Sequence, residues 1–219
     1  MLETIEVETA PNPNAAIIWL HGLGADGHDF EPVVPELIQR GERAWRFIFP
    51  NAPVRPVTIN GGMRMRAWYD IKGLERNIAE DTEGFKAADG QIRELIAREA
   101  GRGIPASRIV LAGFSQGGAV SLYTMTRLKE KLAGVMALSC YLPGVQSFGA
   151  ERQQANDATP IFMAHGIADP MLPVALGAKS RDFLRAHGYT VDWREYPMAH
   201  AVCPAEITDI RQFLSRALA

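Results

Sequence analysis

The run Arg108-Ile109-Val110-Leu111-Ala112-Gly113-Phe114-Ser115-Gln116-Gly117-Gly118-Ala119-Val120-Ser121-Leu122-Tyr123-Thr124-Met125 decides how the rest of the chain is read. Ile109 to Ala112 is a short apolar run of buried-strand type, and it stops at Gly113-Phe114-Ser115-Gln116-Gly117. Beyond Gly118, apolar residues return at helical spacing: Ala119, Val120, Tyr123, Met125 and Leu128. Strand, G-x-S-x-G and helix in succession force the serine into a strained turn and lift its hydroxyl clear of a sheet. The glycines supply room, since a Cβ two residues either side of Ser115 would collide with the neighbouring chain. The helix starts at the serine, so its first N–H groups and the positive end of its dipole face the hydroxyl. The pentapeptide alone is compatible with a glycine-rich turn carrying a bystander serine; the flanking strand and helix argue for a nucleophile.

The elements around this stretch alternate between strand and helix. Thr4 to Thr9 reads as an edge strand, ended by Pro11-Asn12-Pro13-Asn14. Ala15 to Leu20 is continuously apolar, as expected of a strand covered on both faces. It runs into His21-Gly22-Leu23-Gly24-Ala25-Asp26-Gly27, a loop whose glycines let a backbone amide turn inward, as an oxyanion site requires. A short helix is expected over Phe30 to Arg40, ending at Gly41, and a strand over Trp45 to Phe49, stopped by Pro50. Val54 to Glu75 reads as an irregular stretch whose Met and aromatic residues suggest an apolar rim. Ile78 to Ala100 reads as a helix, Leu132 to Tyr141 as a strand followed by a polar loop, and Pro160 to Ala164 as a strand. Val174 to His187 is expected to be helical, Thr190 to Glu195 a strand, and Pro204 to Leu218 a closing amphipathic helix. The alternation indicates one α/β domain over residues 1–219, with a mostly parallel sheet and helices on both faces.

Composition excludes several function classes. Hydrophobic residues make up 47% and charged ones 22%, an ordinary globular balance, and the formal net charge of −2 argues against a nucleic-acid binder. No run is long enough to span a membrane, and the start, Met1-Leu2-Glu3-Thr4-Ile5-Glu6, lacks the basic-then-apolar layout of a signal peptide. Two cysteines, Cys140 and Cys203, form no secreted disulfide framework, so free thiols and a cytoplasmic location are expected.

A serine hydroxyl needs a base, and the base needs a third group to orient it. In a parallel α/β sheet such groups gather at the carboxyl ends of strands. Asp169 follows the strand Pro160 to Ala164, and His200 follows the strand Thr190 to Glu195. The chain order is then Ser115, Asp169, His200, the serine–acid–histidine order that accompanies this turn. Asp157 precedes its strand, Asp192 lies within one, and His187 sits at a helix end where its charge would suit the dipole. His21 and His165 both precede glycine at strand ends and read as loop-orienting side chains. His28 with Asp26 and Asp29 matches no metal-ligand spacing, and Cys203 before Pro204 reads as a packed thiol.

The chain resembles the carboxylesterase and acyl-protein thioesterase family of α/β-hydrolases. The resemblance rests on HGLGADGHDF at 21–30, PNAPVRPVTINGG at 50–62, RAWYDI at 66–71, GFSQGG at 113–118, HGIADPMLP at 165–173 and MAHAVCPAEI at 198–207. GFSQGG together with HGLG is specific to this branch, whereas G-x-S-x-G alone fits any relative. The resemblance implies an eight-stranded-type sheet, or one short of an edge strand, without a cap domain. It also implies a triad of Ser115, Asp169 and His200, and an oxyanion hole made by the backbone N–H groups of Leu23 and Gln116. The latter agrees with the general elbow arrangement, which takes one amide from the residue after the serine and one from an earlier loop.

The chemistry expected is hydrolysis of carboxylic esters through an acyl-serine, with no cofactor and no metal. Acyl-protein thioesterase or lysophospholipase activity is the alternative, acyl transfer to an alcohol a further one, and a non-catalytic scaffold the remote one. The loop between Tyr141 and Pro160 is too short for a lid domain. An open cleft is therefore expected, with an apolar rim from Met63, Met65, Trp68, Leu74, Leu142 and Leu172 that takes short to medium acyl chains. The partner expected is a small ester or thioester, with no nucleic acid and no integral membrane association; a homodimer stays open.

Overall fold

A computed structural model describes residues 1–38, 42–73 and 80–219. Its main sheet has seven strands: β1 (Thr4–Glu8), β2 (Ala15–Leu20), β3 (Trp45–Pro50), β6 (Ile109–Phe114), β7 (Gly134–Leu138), β8 (Ile161–Gly166) and β9 (Val191–Tyr196). A separate hairpin pairs β4 (Val54–Val57) with β5 (Met63–Arg66). The helices are α1 (Val34–Leu37), α2 (Thr82–Gly101), α3 (Gln116–Arg127), α4 (Phe148–Glu151), α5 (Val174–Ala186) and α6 (Pro204–Ala217).

The strands stand in the order β1-β3-β2-β6-β7-β8-β9. Only β1 runs antiparallel, against β3. Every residue of β2 is buried, and its side chains divide between the two faces with the period of two that a pleated strand imposes. Ala16, Ile18 and Leu20 join the core under α2, α3 and α5, while Ala15, Ile17 and Trp19 join the core under α1 and α6. Two-sided burial explains why these strands read as unbroken apolar runs rather than alternating ones. The result is an α/β-hydrolase sheet with helices on both faces and no cap among the described residues. The segment after β7 carries α4, clamped to the body by Arg127, whose guanidinium reaches Glu151 at 2.6 Å and the Gly144 carbonyl at 3.0 Å.

This topology positions the site. From β2 the chain steps outward to β3, then α2 returns it to the other side of β2 as β6. The strand order thus reverses between β2 and β6, where the crevice of an open α/β sheet opens at the carboxyl ends. Leu20 and Gly113 are register partners at that end, so the loop after β2 and the turn after β6 emerge side by side.

Three expectations are corrected. The helix expected over 30–40 is a 3₁₀ turn, Glu31–Val33, running into the single turn α1, because Pro32 and Pro35 each remove a backbone donor. Its expected end at 39–41 lies outside the described residues. Part of the irregular stretch 54–75 is the β4–β5 hairpin, whose strands are only four residues each, with Pro56 in the first and Val57 the one buried residue of the eight. The third is the strand expected over 132–141, which stops at Leu138, where Ser139 takes a φ of 46° that extended backbone cannot continue. The helix expected from Ile78 is described from Thr82, capped by the Asp81 carboxylate, which accepts from the Gly84 N–H.

Phe85 of α2 is the packing key beneath the site's rim. It is 1% exposed and lies with its ring centroid 4.0 Å from that of Tyr69 and 5.4 Å from that of Tyr123. Phe85→Ala should lower the unfolding free energy by about 3–5 kcal/mol through lost burial and the cavity left behind. Denaturant titration with an unchanged m-value is the check, and a loss under about 1 kcal/mol would contradict this packing.

Candidate active site

Ser115 has φ 54° and ψ −118°, a conformation that side-chain-bearing residues rarely hold. The glycines either side permit it. A Cβ on Gly113 would overlap the Gly117 carbonyl, and a Cβ on Gly117 would overlap the Leu20 carbonyl of β2. The Ser115 N–H is occupied, donating to the Leu138 carbonyl at the end of β7 at 2.8 Å. The next N–H, that of Gln116, is the first of α3, so it has no acceptor within the helix.

The loop after β2 lies directly against this turn. A Cβ on Gly22 would stand 3.5 Å from Cβ of Ser115. Residues 22–25 form a β-turn closed by the Ala25 N–H to the Gly22 carbonyl at 3.3 Å, with Gly24 at φ 78° in the third position. That closure leaves the Leu23 N–H unused by the turn. Gly24 is in turn tied to the hairpin, donating to the Arg66 carbonyl at 2.9 Å.

The acid and the histidine come from the next strands along. Loops 166–169 and 196–200 are stitched together, Ile167 donating to Tyr196 at 2.9 Å and Ala168 to Met198 at 3.1 Å. Asp169 Oδ1 accepts from the N–H groups of Met171 at 2.9 Å and Leu172 at 2.8 Å, and Oδ2 lies 2.6 Å from Nδ1 of His200. The Asp169 side chain is fully buried and that of His200 is 19% exposed. Burial opposes ionisation of Asp169, but the Leu172 N–H, the His200 ring and the Met171 N–H together hold its carboxyl below the ordinary value. The imidazole ring lies 4.8 Å from that of Phe114, the residue before the serine. Nδ1 is committed to the carboxylate, so Nε2 is left for proton exchange. The groups present are those that nucleophilic acyl chemistry uses: a serine at a strained turn, a carboxylate-held imidazole and a backbone N–H at a helix start.

His165 and His21 orient loops, as expected. His165 Nε2 donates to the Leu172 carbonyl at 2.8 Å, which fixes the turn that holds Asp169. Burial lowers its pKa, and that of His21 likewise, so both are neutral rings. His21 Nδ1 donates to the Gly22 carbonyl at 2.7 Å and Nε2 accepts from the Ala52 N–H at 3.0 Å, which defines the tautomer. The rejected acids are engaged elsewhere: Asp157 pairs with Arg152 at 2.8 Å and Asp192 with Arg194 at 3.0 Å. His187 bonds the Phe183 carbonyl at its helix end. His28 pairs with Glu31 on an exposed turn.

The proposed rim divides. Met63 is 65% exposed on the hairpin, Met65 lies beside Gly24, and Leu172 is half-buried next to Asp169. Leu74 lies outside the described residues. Trp68 and Leu142 are not rim residues, being 0% and 3% exposed. The Trp68 indole N–H is drawn inward by the His21 carbonyl at 2.9 Å, and Leu142 is held in the core with its N–H on the Ser180 hydroxyl at 2.8 Å. A side chain that sequence reasoning missed is that of Gln116, which bonds the backbone of both Trp68 and Tyr69 at 3.0 Å. Its place after the serine drew attention to its amide N–H alone.

The phospholipase/carboxylesterase family model matches residues 3–218. An acyl-protein thioesterase 1 of Neurospora crassa is 43% identical over 216 residues, covering 93% of this chain and 87% of its own. One from Gibberella zeae is 38% identical over 218 residues, covering 95% and 93%. Among solved structures, Arabidopsis thaliana SOBER1 superposes with a TM-score of 0.88 at 28% identity, covering 94% of this chain and 99% of its own. Zea mays acyl-protein thioesterase 2 does so with a TM-score of 0.87 at 27% identity over 100% of both chains.

Glu206, in the first turn of α6 just beyond the His200 loop, makes the segment pH-sensitive. It is fully buried, and burial, opposed by the Cys203 N–H and reinforced by Asp209, lifts its carboxyl from 4.5 to about 8. The folded protein therefore holds a proton that the unfolded chain releases above pH 4.5, so stability falls as pH rises towards 8. Glu206→Gln should unfold at a higher temperature than the parent at pH 9, with the advantage shrinking below pH 8 and vanishing near pH 4.5. A difference that does not change with pH would contradict it.

Proposed function

Because the chain belongs to the phospholipase/carboxylesterase family of hydrolases, we propose that it hydrolyses fatty-acyl thioesters on cysteine in the manner of an acyl-protein thioesterase. Ser115 serves as nucleophile, His200 as proton carrier and Asp169 as its orienting anion. The observation that carries the chemistry is what stands at four strand ends: the Gly22 turn packed on Ser115, and the 2.6 Å Asp169–His200 bond beside Phe114. The relatives' names favour the thioester reading over the generic short-chain ester reading, since the two thioesterases at 38% and 43% identity span almost the whole chain.

Ser115 Oγ attacks the acyl carbonyl carbon as His200 Nε2 takes its proton. The carbonyl oxygen becomes an oxyanion received by the Leu23 and Gln116 N–H groups, each of which supplies on the order of 3 kcal/mol by the precedent of such donors. Collapse breaks the C–S bond, and His200 returns the proton to the leaving thiolate. Water then attacks the acyl-serine with His200 again as base, releasing the carboxylic acid and restoring the serine. Asp169 holds the imidazole in the tautomer that presents Nε2 and stabilises the imidazolium that forms in each half-reaction. The exposed Met63, Val54 and Ile59 of the hairpin, with Met171 beside the acid loop, offer apolar surface to an acyl chain.

An S-acylated cysteine peptide and the p-nitrophenyl ester of the same acyl group separate the two readings. The proposal expects the higher kcat/KM on the thioester, and Ser115→Ala to lose roughly 10⁴-fold or more on both. A preference for short-chain esters would favour the carboxylesterase reading instead. Turnover unchanged in Ser115→Ala would end both.

A further inference from the structure

The side chains of Gln116 and Trp68 join the two halves of the proposed oxyanion hole. Gln116 is 2% exposed and Trp68 0%. The Gln116 amide oxygen accepts the Trp68 backbone N–H at 3.0 Å, and its amide nitrogen donates to the Tyr69 carbonyl at 3.0 Å. The Trp68 indole N–H donates to the His21 carbonyl at 2.9 Å. The path therefore runs from the first residue of α3, through the backbone at 68–69, through an indole, to the residue that opens the Gly22–Ala25 turn. Gln116 lies at one end and Leu23 two residues beyond the other, and their backbone N–H groups are the proposed oxyanion donors.

Three observations set this path apart from ordinary core satisfaction. Gln116 uses one donor and one acceptor on the backbone of two successive residues, which fixes the orientation of its whole amide. The indole bonds the carbonyl of His21, whose ring is itself locked by the Gly22 carbonyl and the Ala52 N–H. The 67–69 backbone is held from behind as well. Ala67 donates to the Pro53 carbonyl at 3.1 Å, and the Tyr69 ring lies 4.0 Å from that of Phe85. Two amides that come from different strands can serve one oxygen only if the distance between them is held within a fraction of an ångström. The main sheet fixes β2 against β6, but the loop after β2 leaves the ladder at Leu20 and needs a separate restraint.

We propose that Gln116 and Trp68 are positioning residues that hold the Leu23 and Gln116 amides at the spacing a tetrahedral oxyanion requires. The inference rests on the acyl-serine reading above and goes beyond it by assigning work to two side chains that do not touch the substrate. It also makes the path a single unit: breaking it at either residue removes the same restraint on the loop, so the two breaks should not add.

The test uses Gln116→Met, which keeps the backbone N–H and the side-chain length, and Trp68→Phe, which removes the indole N–H. The double variant and Gln116→Glu complete the set. Each preparation is normalised by titrating the reactive serine with a fluorophosphonate, so that misfolded protein drops out of the rates. Expected is a fall in kcat per titrated site of roughly 10–100-fold in each single variant, with KM within about 3-fold of the parent. Affinity for a trifluoromethyl ketone, a tetrahedral mimic, should fall by the same factor as kcat, and the double variant should be no slower than the slower single one. Gln116→Glu should recover relative to the parent as pH is lowered, because a protonated carboxyl restores one donor and one acceptor. Loss confined to the titratable fraction, loss that falls on KM, multiplicative losses in the double variant, or no recovery of Gln116→Glu at low pH would each overturn the proposal. Ser115→Ala, run alongside, isolates the underlying reading: retained turnover there would overturn that reading and not the brace alone.

Discussion

One backbone turn constrains everything around it. At Ser115 the chain takes φ 54° and ψ −118°, and it can do so only because Gly113 and Gly117 carry no Cβ to strike the Gly117 and Leu20 carbonyls. The same turn spends the Ser115 N–H on the Leu138 carbonyl and leaves the Gln116 N–H at the mouth of α3. Strain at one residue is therefore held by the strands on either side, β2 and β7, both fixed in the ladder. A turn of this kind survives only where the surrounding structure over-determines it, and the burial of every residue in β2 and β7 supplies that.

Sheet topology then distributes the other groups. The order reversal between β2 and β6 brings a glycine turn against the serine, while β8 and β9, farther along the same edge, deliver the acid and the histidine. Each side chain is oriented before any substrate arrives. Asp169 is buried, accepts two backbone N–H groups and lies 2.6 Å from His200; His165 holds the turn that presents those groups. Preorganised dipoles need no rearrangement at the moment charge develops. The hairpin outside the main sheet, by contrast, exposes Met63, Val54 and Ile59. Rigid chemistry and an adaptable apolar approach thus come from different parts of the fold.

Much of this was legible in the sequence, for physical reasons that can be named. Two-sided burial makes β2 and β6 continuous apolar runs, and the elbow's steric demand prints two glycines at fixed offsets from the serine. The carboxyl-end rule singled out Asp169 and His200, which the structure brings to 2.6 Å of each other, because parallel strands all point their ends to one edge. What escaped the sequence depended on contacts between distant segments. Trp68 looks like a rim residue when only its neighbours are known; the bond to His21, 47 positions away, turns it inward. The Gln116 side chain carries no local signal, since both of its partners lie beyond the reach of any periodicity. The β4–β5 hairpin escaped because its strands are only four residues long and the first contains Pro56, and Pro32 and Pro35 shorten a helix whose apolar spacing suggests a longer one.

The central claim is that Ser115, the amides of Leu23 and Gln116, and the His200 ring converge on one reacting centre. A crystal structure of the protein inactivated with an alkyl fluorophosphonate tests it most directly, because the bound phosphorus mimics the tetrahedral carbon. The account predicts a covalent bond from Ser115 Oγ, with the phosphoryl oxygen about 2.7–3.1 Å from both N–H groups and Nε2 of His200 facing the Ser115 oxygen. A phosphoryl oxygen turned to solvent, an adduct on another side chain, or an imidazole directed away from the serine would contradict it.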